Sequence, residues 1–344
     1  MILVDAIYTN QSGSKRLLEY FVRYLAEKKL LDNYYFLLDQ RIESEILTII
    51  KDDNRRYLPP GESSRRAYYR LLPANTTTIF CFGSVPPPIK ISGPRVVILQ
   101  HNPFFFENPG YSLYHKVLYL IKRLYIKTRC TPTYSWIVQT NRIKELLIHF
   151  LGINPASISV LPFFELSFFD EHAPLPTTFP LKFIYPADGV PQKNHRLLFR
   201  VWERLATEHH LRPELHITLP QRYTHHMKTI EQMKTMGLSI FNHGFVSKNE
   251  IKSLYHRSHF LVFPSMSESF GLPLAEAAST GLNVIGSDLP YLYQVVQPSA
   301  VFDPKSEDSL LQLIFDLHAG KKVQPTRVLL KDHIEEVIKM LQQR

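Results

Sequence analysis

The chain is poor in cysteine and lacks long apolar runs. Its 344 residues include only two cysteines, Cys81 and Cys130, and neither lies in a Cys-x-x-Cys or Cys/His pattern that would bind zinc. Two distant cysteines do not build a disulfide scaffold, so we expect both to be small buried residues in a chain of the reducing cytoplasm. No run of about 18 apolar residues occurs, so no membrane-spanning helix is expected.

The usual patterns for metal ions and nucleic acids are also missing. The sequence has no Asp-x-Asp pair and no His, Asp or Glu cluster with metal-ligand spacing, so we expect no metal site and no cofactor. It has no zinc finger, RNA-binding aromatic signature or isolated recognition helix either. A basic nucleic-acid-binding protein is therefore the weaker of the alternative hypotheses, and nucleic acid is not an expected partner.

The charge balance is clearly basic. There are 40 Lys and Arg residues against 31 Asp and Glu residues, which gives a formal net charge of +9. Such a surplus favours acidic partners, namely nucleic acid, anionic lipid headgroups or phosphate-bearing substrates. Charge alone does not choose among these partners.

Two series of short apolar runs alternate with longer amphipathic stretches, the pattern of parallel sheets covered by helices. The series predict an α/β fold with two Rossmann-like, doubly wound domains. We expect an N-terminal domain over 1–165, a proline-rich linker over 166–180 and a C-terminal domain over 181–325. An amphipathic helix over 326–344 would pack back on the N-terminal domain. Ligands bind at the carboxyl ends of such strands, so we expect the two domains to face each other across a cleft.

The densest candidate chemistry lies between Phe263 and Glu276. A buried strand leads into a Pro/Ser/Gly loop, and a helix is predicted to begin near Leu272. Backbone N–H groups at a helix start favour an anionic ligand. Glu268 in the loop and Glu276 in the helix are eight positions apart, so they can contact two parts of one extended ligand. A carboxylate accepts hydrogen bonds from vicinal hydroxyls, which makes a ribose and a hexose natural targets.

This segment resembles the retaining glycosyltransferases of sequence family 4, which have the GT-B fold. The family signature, Glu-x7-Glu within P-S-x-x-E-S-F-G-L-P-x-x-E-A, is matched by Pro264–Ala277. The resemblance continues through Gly281–Asp288 and back through Gly244–Ser247. It implies a nucleotide-sugar donor held by the C-terminal half of the chain.

The resemblance also implies roles for individual residues. Glu276 would bind the ribose hydroxyls of the nucleotide, and Glu268 would contact hydroxyls of the transferred sugar. The backbone amides of Phe270, Gly271 and Leu272 would face the sugar and the phosphates.

A second element precedes this segment. In Phe183–His195 a strand ends at Gly189, and Lys193 stands where the next helix is predicted to open. A fixed ammonium stabilises the charge that develops on a departing phosphate, and Lys193 is in register with the family's phosphate-binding lysine. Many family members carry an Arg shortly before this Lys, whereas this chain has Ala187 and Asp188 there. The source of a second positive charge therefore stays open.

In the first half of the chain the resemblance is weaker. Gly13 lies between the first predicted strand and helix, where a glycine permits close backbone approach to an acceptor or a phosphate. A simple helix-capping turn is the alternative. His101 ends the strand that begins at Arg95, and family members often have a His at this strand end near the reaction centre. A purely structural histidine is its alternative.

The resemblance implies a hexose transfer with net retention from a nucleotide diphosphate sugar to a lipid-linked glycan acceptor in surface polysaccharide, such as lipopolysaccharide, synthesis. The donor is a substrate, so no cofactor and no obligatory divalent ion are expected. A phosphate oxygen would take the acceptor's proton, so no side chain is assigned as general base. A sugar-nucleotide epimerase or phosphorylase of the same fold is the other hypothesis.

A basic stretch over 111–129 is the candidate membrane contact. Residues 108–144 contain no Asp or Glu, and in 111–129 Lys and Arg alternate with aliphatic and Tyr residues. A helix of this composition suits the surface of an anionic membrane. The alternative is that its apolar residues pack on the sheet and leave only a solvated basic rim. We expect a cytoplasmic protein that is peripheral on the inner face of the cell membrane.

Overall fold

The computed structural model describes residues 1–10, 12–107, 109–166, 168–169 and 179–343. The chain divides into two compact units. The first unit comprises Met1–Glu107, Leu113–Glu165 and Lys331–Arg344, and the second comprises Asn108–Ser112 and Leu166–Leu330. Most of the linker predicted over 166–180 lies outside the described residues.

The first unit is built on a seven-stranded, all-parallel sheet. Its strands are β1 Ile2–Ala6, β2 Tyr34–Asp39, β3 Arg55–Leu58, β4 Thr78–Cys81, β5 Arg95–Gln100, β6 Ser135–Val138 and β7 Ile158–Val160. Its helices before the interdomain segment are α1 Ser12–Glu27, α2 Glu62–Tyr69, α3 Leu113–Arg129 and α4 Asn141–Leu151. The strand order is β3-β2-β1-β4-β5-β6-β7.

The central strands form because both of their faces are covered. All five residues of β1 and all four of β4 are buried, as expected for near-continuous apolar runs in a parallel sheet. α1 supplies Leu18, Phe21 and Leu25 to one face at helical spacing. Burial on both sides therefore fixes these strands without help from alternating polarity.

β3 is a strand that the hydrophobic pattern does not predict. It pairs only with β2 at the edge of the sheet, and Arg56 and Tyr57 in it are exposed. An edge strand needs only its backbone hydrogen bonds on one side, so its side chains carry no strong apolar signal.

The second unit has its own parallel sheet. Its strands are β8 Lys182–Tyr185, β9 Glu214–Ile217, β10 Ile240–Asn242, β11 Phe260–Phe263, β12 Asn283–Ser287, β13 Val296–Gln297, β14 Ala300–Phe302 and β15 Arg327–Val328. Its helices are α5 His195–Glu208, α6 Thr224–Thr235, α7 Lys248–His256, α8 Leu272–Ser279, α9 Leu292–Val295 and α10 Glu307–His318. The main sheet has the order β10-β9-β8-β11-β12-β14.

The C-terminal helix is shorter than predicted. Instead of a helix from 326, Arg327–Val328 pairs antiparallel with Val296–Gln297, and the helix α11 covers only Ile334–Gln342. The Thr326 hydroxyl accepts a hydrogen bond from the backbone of Val284, which ties this stretch to the second unit and competes with helix formation. The amphipathic pattern alone does not reveal such tertiary pairing.

α11 itself packs in the core of the first unit. Its buried residues Ile334, Val337, Ile338 and Leu341 belong to the same apolar cluster as Val4 and Leu18. The chain therefore returns to the first unit after completing the second. In each sheet the strand order reverses between the first and fourth strands, and ligands of doubly wound folds bind at the carboxyl edge of that switch point.

Among the described residues, none of the helices has both the length and the apolar character that crossing a bilayer would require.

Leu341→Ala tests the role of α11 in the first unit. Leu341 is fully buried, so truncating it should cost about 2–5 kcal/mol of unfolding free energy. Urea unfolding monitored by circular dichroism measures the change, with exposed Gln342→Ala as the matched control. Equal midpoints for Leu341→Ala and wild type would show that α11 does not stabilise this core.

Candidate functional site

The candidate site of the second unit lies on two neighbouring loops. One loop follows β8 and contains a short helical turn, Pro191–Lys193, and the other follows β11 and leads into α8. β8 and β11 pair with each other, and the strand order reverses between them. Both loops therefore leave the carboxyl edge of the sheet at its switch point.

Lys193 and Glu268 meet between these loops. The Lys193 Nζ lies 2.5 Å from Glu268 Oε1, and only 18% of the lysine side chain and 11% of the glutamate side chain are exposed. Partial burial strengthens the attraction between the two charges. It also costs desolvation free energy, which is offset only when the geometry of the pair is good. The site thus has a fixed ammonium beside a fixed carboxylate.

Further hydrogen bonds lock the two loops together. The Tyr185 hydroxyl donates to the Lys193 carbonyl at 2.8 Å and is 2.9 Å from the Ser265 hydroxyl. The Met266 backbone N–H donates to the Gln192 carbonyl at 2.8 Å. Burial raises the pKa of Tyr185 well above its usual value, so its hydroxyl stays protonated and able to donate.

Gly271 shapes the start of α8. Its φ is +80°, and a Cβ there would lie 2.8 Å from the Leu274 Cδ1, so only glycine fits this left-handed position without strain. The first turn of α8 contains no acidic residue. The helix dipole at the start of α8, formed by Phe270, Gly271 and Leu272, therefore favours an anion, and no acidic side chain of the first turn repels it.

Glu276 lies one turn into α8 and is 96% buried, with 4% of its surface exposed. The Tyr255 hydroxyl on α7 donates to its Oε2 at 3.0 Å. A buried carboxylate has to be satisfied by donors, and Tyr255 provides one from a neighbouring helix. Because its sequence position gives no hint of this contact, Tyr255 is a site residue that sequence reasoning missed.

Gly189 packs closely against the end of the loop that follows β9 and the first turn of α6. A Cβ on Gly189 would lie 2.6 Å from the Tyr223 ring and 2.8 Å from the His226 ring, so no larger residue fits. Arg222 pairs with Asp188 at 3.0 Å, and its guanidinium lies 4.9 Å from the Tyr223 ring centroid. This arginine, also missed from the sequence, brings a second cation to the loop that carries Lys193.

In the first unit, His101 directly follows β5. Its Nδ1 is 3.2 Å from the Ser84 hydroxyl, which also accepts from the His101 backbone N–H at 3.1 Å. Burial lowers the pKa of His101 to about 4, because the surrounding protein atoms disfavour the imidazolium even though the residue as a whole is only partly buried. His101 is therefore a neutral hydrogen-bonding group at physiological pH.

Gly13 lies in the first turn of α1, which begins at Ser12. The sequence pattern places Gly13 in the loop between the first strand and the first helix. In the structure it is instead part of the helix start. Nearby, Gly83 follows β4, and a Cβ on it would lie 2.1 Å from the Ile7 carbonyl oxygen. The loops after β1 and β4 consequently touch at the switch point of the first sheet.

A buried ionic network occupies the same unit and was not predicted. Arg65 is 1% exposed, and its guanidinium contacts Asp5 at 2.9 Å and Glu62 at 2.7 Å. It also donates to the carbonyls of Val85 and Pro86. The signal in the sequence is Asp5 itself, a carboxylate inside an otherwise apolar strand.

The predicted site residues thus divide between the two units. Lys193, Glu268, Gly189, Glu276 and the start of α8 are on the second unit, whereas His101 and Gly13 are on the first. Among the described parts of the chain, no group of three His, Cys, Asp or Glu residues is arranged to hold a metal ion.

The fold class predicted from the sequence is confirmed as GT-B. The apo form of the lipopolysaccharide outer core galactosyltransferase WaaB matches with a TM-score of 0.63 over 99% of this chain and 94% of that chain, at 16% identity. Anabaena HepE in complex with UDP-glucose matches with a TM-score of 0.65 over 93% of this chain and 90% of that chain, at 14% identity. At such identities the likeness shows the fold alone.

The family resemblance is confirmed as well. Residues 171–326 match the family model described as Glycosyl transferases group 1. A stretch of 76 residues, 21% of this chain, is 40% identical to the O-antigen chain mannosyltransferase RfbU of Salmonella typhimurium. The match covers 22% of that relative's length, so the chain aligns with less than a quarter of it.

The pKa of His101 predicts how the stability of the first unit depends on pH. The unfolded histidine titrates near pH 6.5, whereas the folded one stays neutral down to about pH 4. The unfolded state therefore binds an extra proton between these values, and stability falls as pH drops from about 6.5 to 4. At pH 5 the loss from His101 should be roughly 1–2 kcal/mol.

His101→Gln removes this titration and keeps a polar side chain. Urea unfolding at pH 7.5 and pH 5.0 should show a smaller pH-dependent loss of stability for His101→Gln than for wild type. An equal loss in both proteins would mean that His101 titrates normally in the folded state.

Proposed function

We propose that this chain is a retaining glycosyltransferase that moves a hexose from a nucleotide diphosphate sugar to a lipid-linked glycan acceptor in surface polysaccharide synthesis. The observation that carries the proposal is the Lys193–Glu268 pair, at 2.5 Å, at the switch point of the second sheet. It lies in the segment that matches the group 1 glycosyl transferase model. The buried Glu276 on α8 completes the arrangement.

Lys193 is proposed to act on the leaving group. When the bond between the anomeric carbon and the phosphate breaks, negative charge accumulates on the departing diphosphate. An ammonium held in place by Glu268, together with the start of α8, stabilises that charge without reorganising. These groups supply the electrostatics, so we propose that the reaction uses no cofactor and no obligatory divalent ion.

The two glutamates are proposed to hold the neutral parts of the donor. Glu276, oriented by Tyr255 at 3.0 Å, accepts hydrogen bonds from the ribose hydroxyls. Glu268 accepts from hydroxyls of the transferred sugar while it orients Lys193. Gly189 keeps the neighbouring turn free of side-chain bulk, since any Cβ there would meet Tyr223.

Retention requires that the acceptor hydroxyl attack the anomeric carbon from the face that the phosphate leaves. The new glycosidic bond forms as the sugar–phosphate bond breaks, and a phosphate oxygen takes the hydroxyl proton. No side chain is needed as general base. For the first unit we propose acceptor binding at the edge that carries His101 and the start of α1.

Mannose is the first donor sugar to test, because the relative from Salmonella typhimurium is described as a mannosyltransferase. UDP-glucose is a second donor to test, because the structure of Anabaena HepE is described as a complex with it. The base of the donor is identified by a screen of uridine, guanosine and adenosine diphosphate sugars for released nucleoside diphosphate.

Glu276→Ala tests the ribose contact. Charged hydrogen bonds contribute about 1.5–3 kcal/mol, so kcat/KM for the donor should fall at least about tenfold. Released nucleoside diphosphate measures turnover, and circular dichroism checks that the variant is folded. Near-wild-type kinetics in folded Glu276→Ala would refute the ribose assignment.

We also propose that α3 docks on an anionic membrane, where a lipid-linked acceptor would lie. One face of α3 packs on the first unit through Tyr119, Tyr125 and Ile126. The opposite face exposes a continuous apolar stripe, whose members are between 41% and 78% exposed: Leu113, Val117, Leu120, Ile121 and Leu124. Its apolar residues therefore do not all pack on the sheet.

Basic residues border this stripe on one side. At 100° per residue, Lys116 and Lys127 fall beside the stripe, whereas Lys122 and Arg129 lie towards the opposite side of the helix. α3 contains no acidic residue. An apolar stripe bordered by basic residues suits a helix lying in the interface of an anionic bilayer, where each Lys or Arg near the surface contributes about 1 kcal/mol.

Liposome co-sedimentation tests the docking. Wild type should bind vesicles that contain anionic lipid, bind less as salt rises, and ignore neutral vesicles. Lys116→Glu, Lys122→Glu and Lys127→Glu combined should abolish binding. Arg123 is left intact because its guanidinium packs 4.5 Å from the Phe150 ring centroid.

The matched control carries the same charge change elsewhere, at the exposed residues Lys228, Lys322 and Lys331. This control should bind almost as well as wild type. If wild type ignores anionic vesicles at low salt, or both triple variants lose binding equally, α3 is not a membrane dock.

A further inference from the structure

Two polar residues beside the Lys193–Glu268 pair have no role in the mechanism above. Gln192 directly precedes Lys193, and Ser267 directly precedes Glu268. The backbone hydrogen bond from Met266 to Gln192 joins the two loops at this point. Gln192 and Ser267 therefore lie where the two loops meet, each next to one member of the ion pair.

Both residues are buried, and their side-chain polar atoms lack protein partners. Gln192 is 0% exposed and Ser267 is 5% exposed. Within the described residues, Gln192 Nε2, Gln192 Oε1 and Ser267 Oγ make no hydrogen bond. Native proteins satisfy nearly all buried polar groups, because an unsatisfied one costs folding free energy. Such atoms at a binding site therefore point to a ligand.

The neighbouring Ser265 shows that the loop is able to satisfy its hydroxyls. Ser265 is fully buried, and its Oγ lies 2.9 Å from the Tyr185 hydroxyl. Ser267, two residues further on, has no such contact. The loop therefore satisfies one of its buried hydroxyls and leaves the other without a protein partner.

The chemistry of these groups indicates which part of a donor they contact. A carboxamide offers two N–H donors and one acceptor oxygen, and a hydroxyl both donates and accepts. Neither group carries charge, whereas the cation for a phosphate is Lys193. Uncharged mixed donors and acceptors suit sugar hydroxyls, which also donate and accept.

We infer that Gln192 and Ser267 bind hydroxyl groups of the transferred sugar and help to determine which sugar the donor carries. The inference rests on the proposed function, because it assumes a nucleotide diphosphate sugar at this site. It adds to that function two uncharged residues, Gln192 and Ser267, that contact the sugar beside the Lys193–Glu268 ion pair. The stability of the empty fold is lowered by these groups, and the bound sugar satisfies them.

Gln192→Leu tests the inference, because leucine has a similar size and no polar atoms. Isothermal titration calorimetry should show affinity for the donor nucleotide sugar about five- to tenfold weaker than wild type. Affinity for the matching nucleoside diphosphate, which lacks the sugar, should be unchanged. Thermal stability without ligand should be equal or higher, since an unsatisfied buried amide has been removed.

Ser267→Ala and Ser265→Ala form a matched pair in the same loop. Ser267→Ala should have the melting temperature of wild type and bind the nucleotide sugar about two- to fivefold more weakly. Ser265→Ala should have a lower melting temperature than wild type, because the substitution removes the contact with Tyr185. Identical behaviour of the two variants would contradict the distinction drawn between them.

The outcomes separate this inference from the proposed function. If wild type binds neither the nucleotide sugars nor the nucleoside diphosphates, the proposed function itself fails. If wild type binds both and Gln192→Leu binds the nucleotide sugar equally well, only the inference is wrong. Equal weakening for the nucleotide sugar and the nucleoside diphosphate would also overturn it, because the residue would then act on the nucleotide.

Discussion

The ion pair between Lys193 and Glu268 is the interaction on which the candidate site depends. It joins loops from two adjacent strands at a distance of 2.5 Å, and it leaves a cation in place at the edge of the sheet. A lone ammonium on a flexible stem would lose conformational entropy whenever it bound a phosphate. The carboxylate fixes it beforehand, and the hydrogen bonds of Tyr185 fix the loops around it.

That arrangement follows from the topology of the second sheet. β8 and β11 are neighbours in space although about 75 residues separate Lys193 from Glu268 in the chain. The order of strands reverses between them, so the helices that follow lie on opposite faces and leave the carboxyl edge open. Tight packing of Gly189 against Tyr223 and of Gly271 against Leu274 then determines the course of each loop. Glycine is required at both positions for steric reasons.

Much of this organisation was predictable from the sequence, because buried parallel strands leave strong apolar signals and the segment from Pro264 to Ala277 is distinctive. The rest depends on tertiary contacts. β3 lacks an apolar pattern because it lies at an edge, and the residues before α11 pair with β13 instead of continuing the helix. Tyr255 and Arg222 join the site from loops and helices distant in sequence. Spacing along the chain carries no information about such contacts.

The most direct test of the account is hydrogen exchange of the whole protein, measured by mass spectrometry with saturating UDP, GDP or ADP in turn. The account predicts that at least one of these nucleotides slows exchange in residues 186–195 and 264–279, the two loops joined by Lys193 and Glu268. Protection confined to the first unit, or no protection with any of the three, would contradict a donor site on these loops.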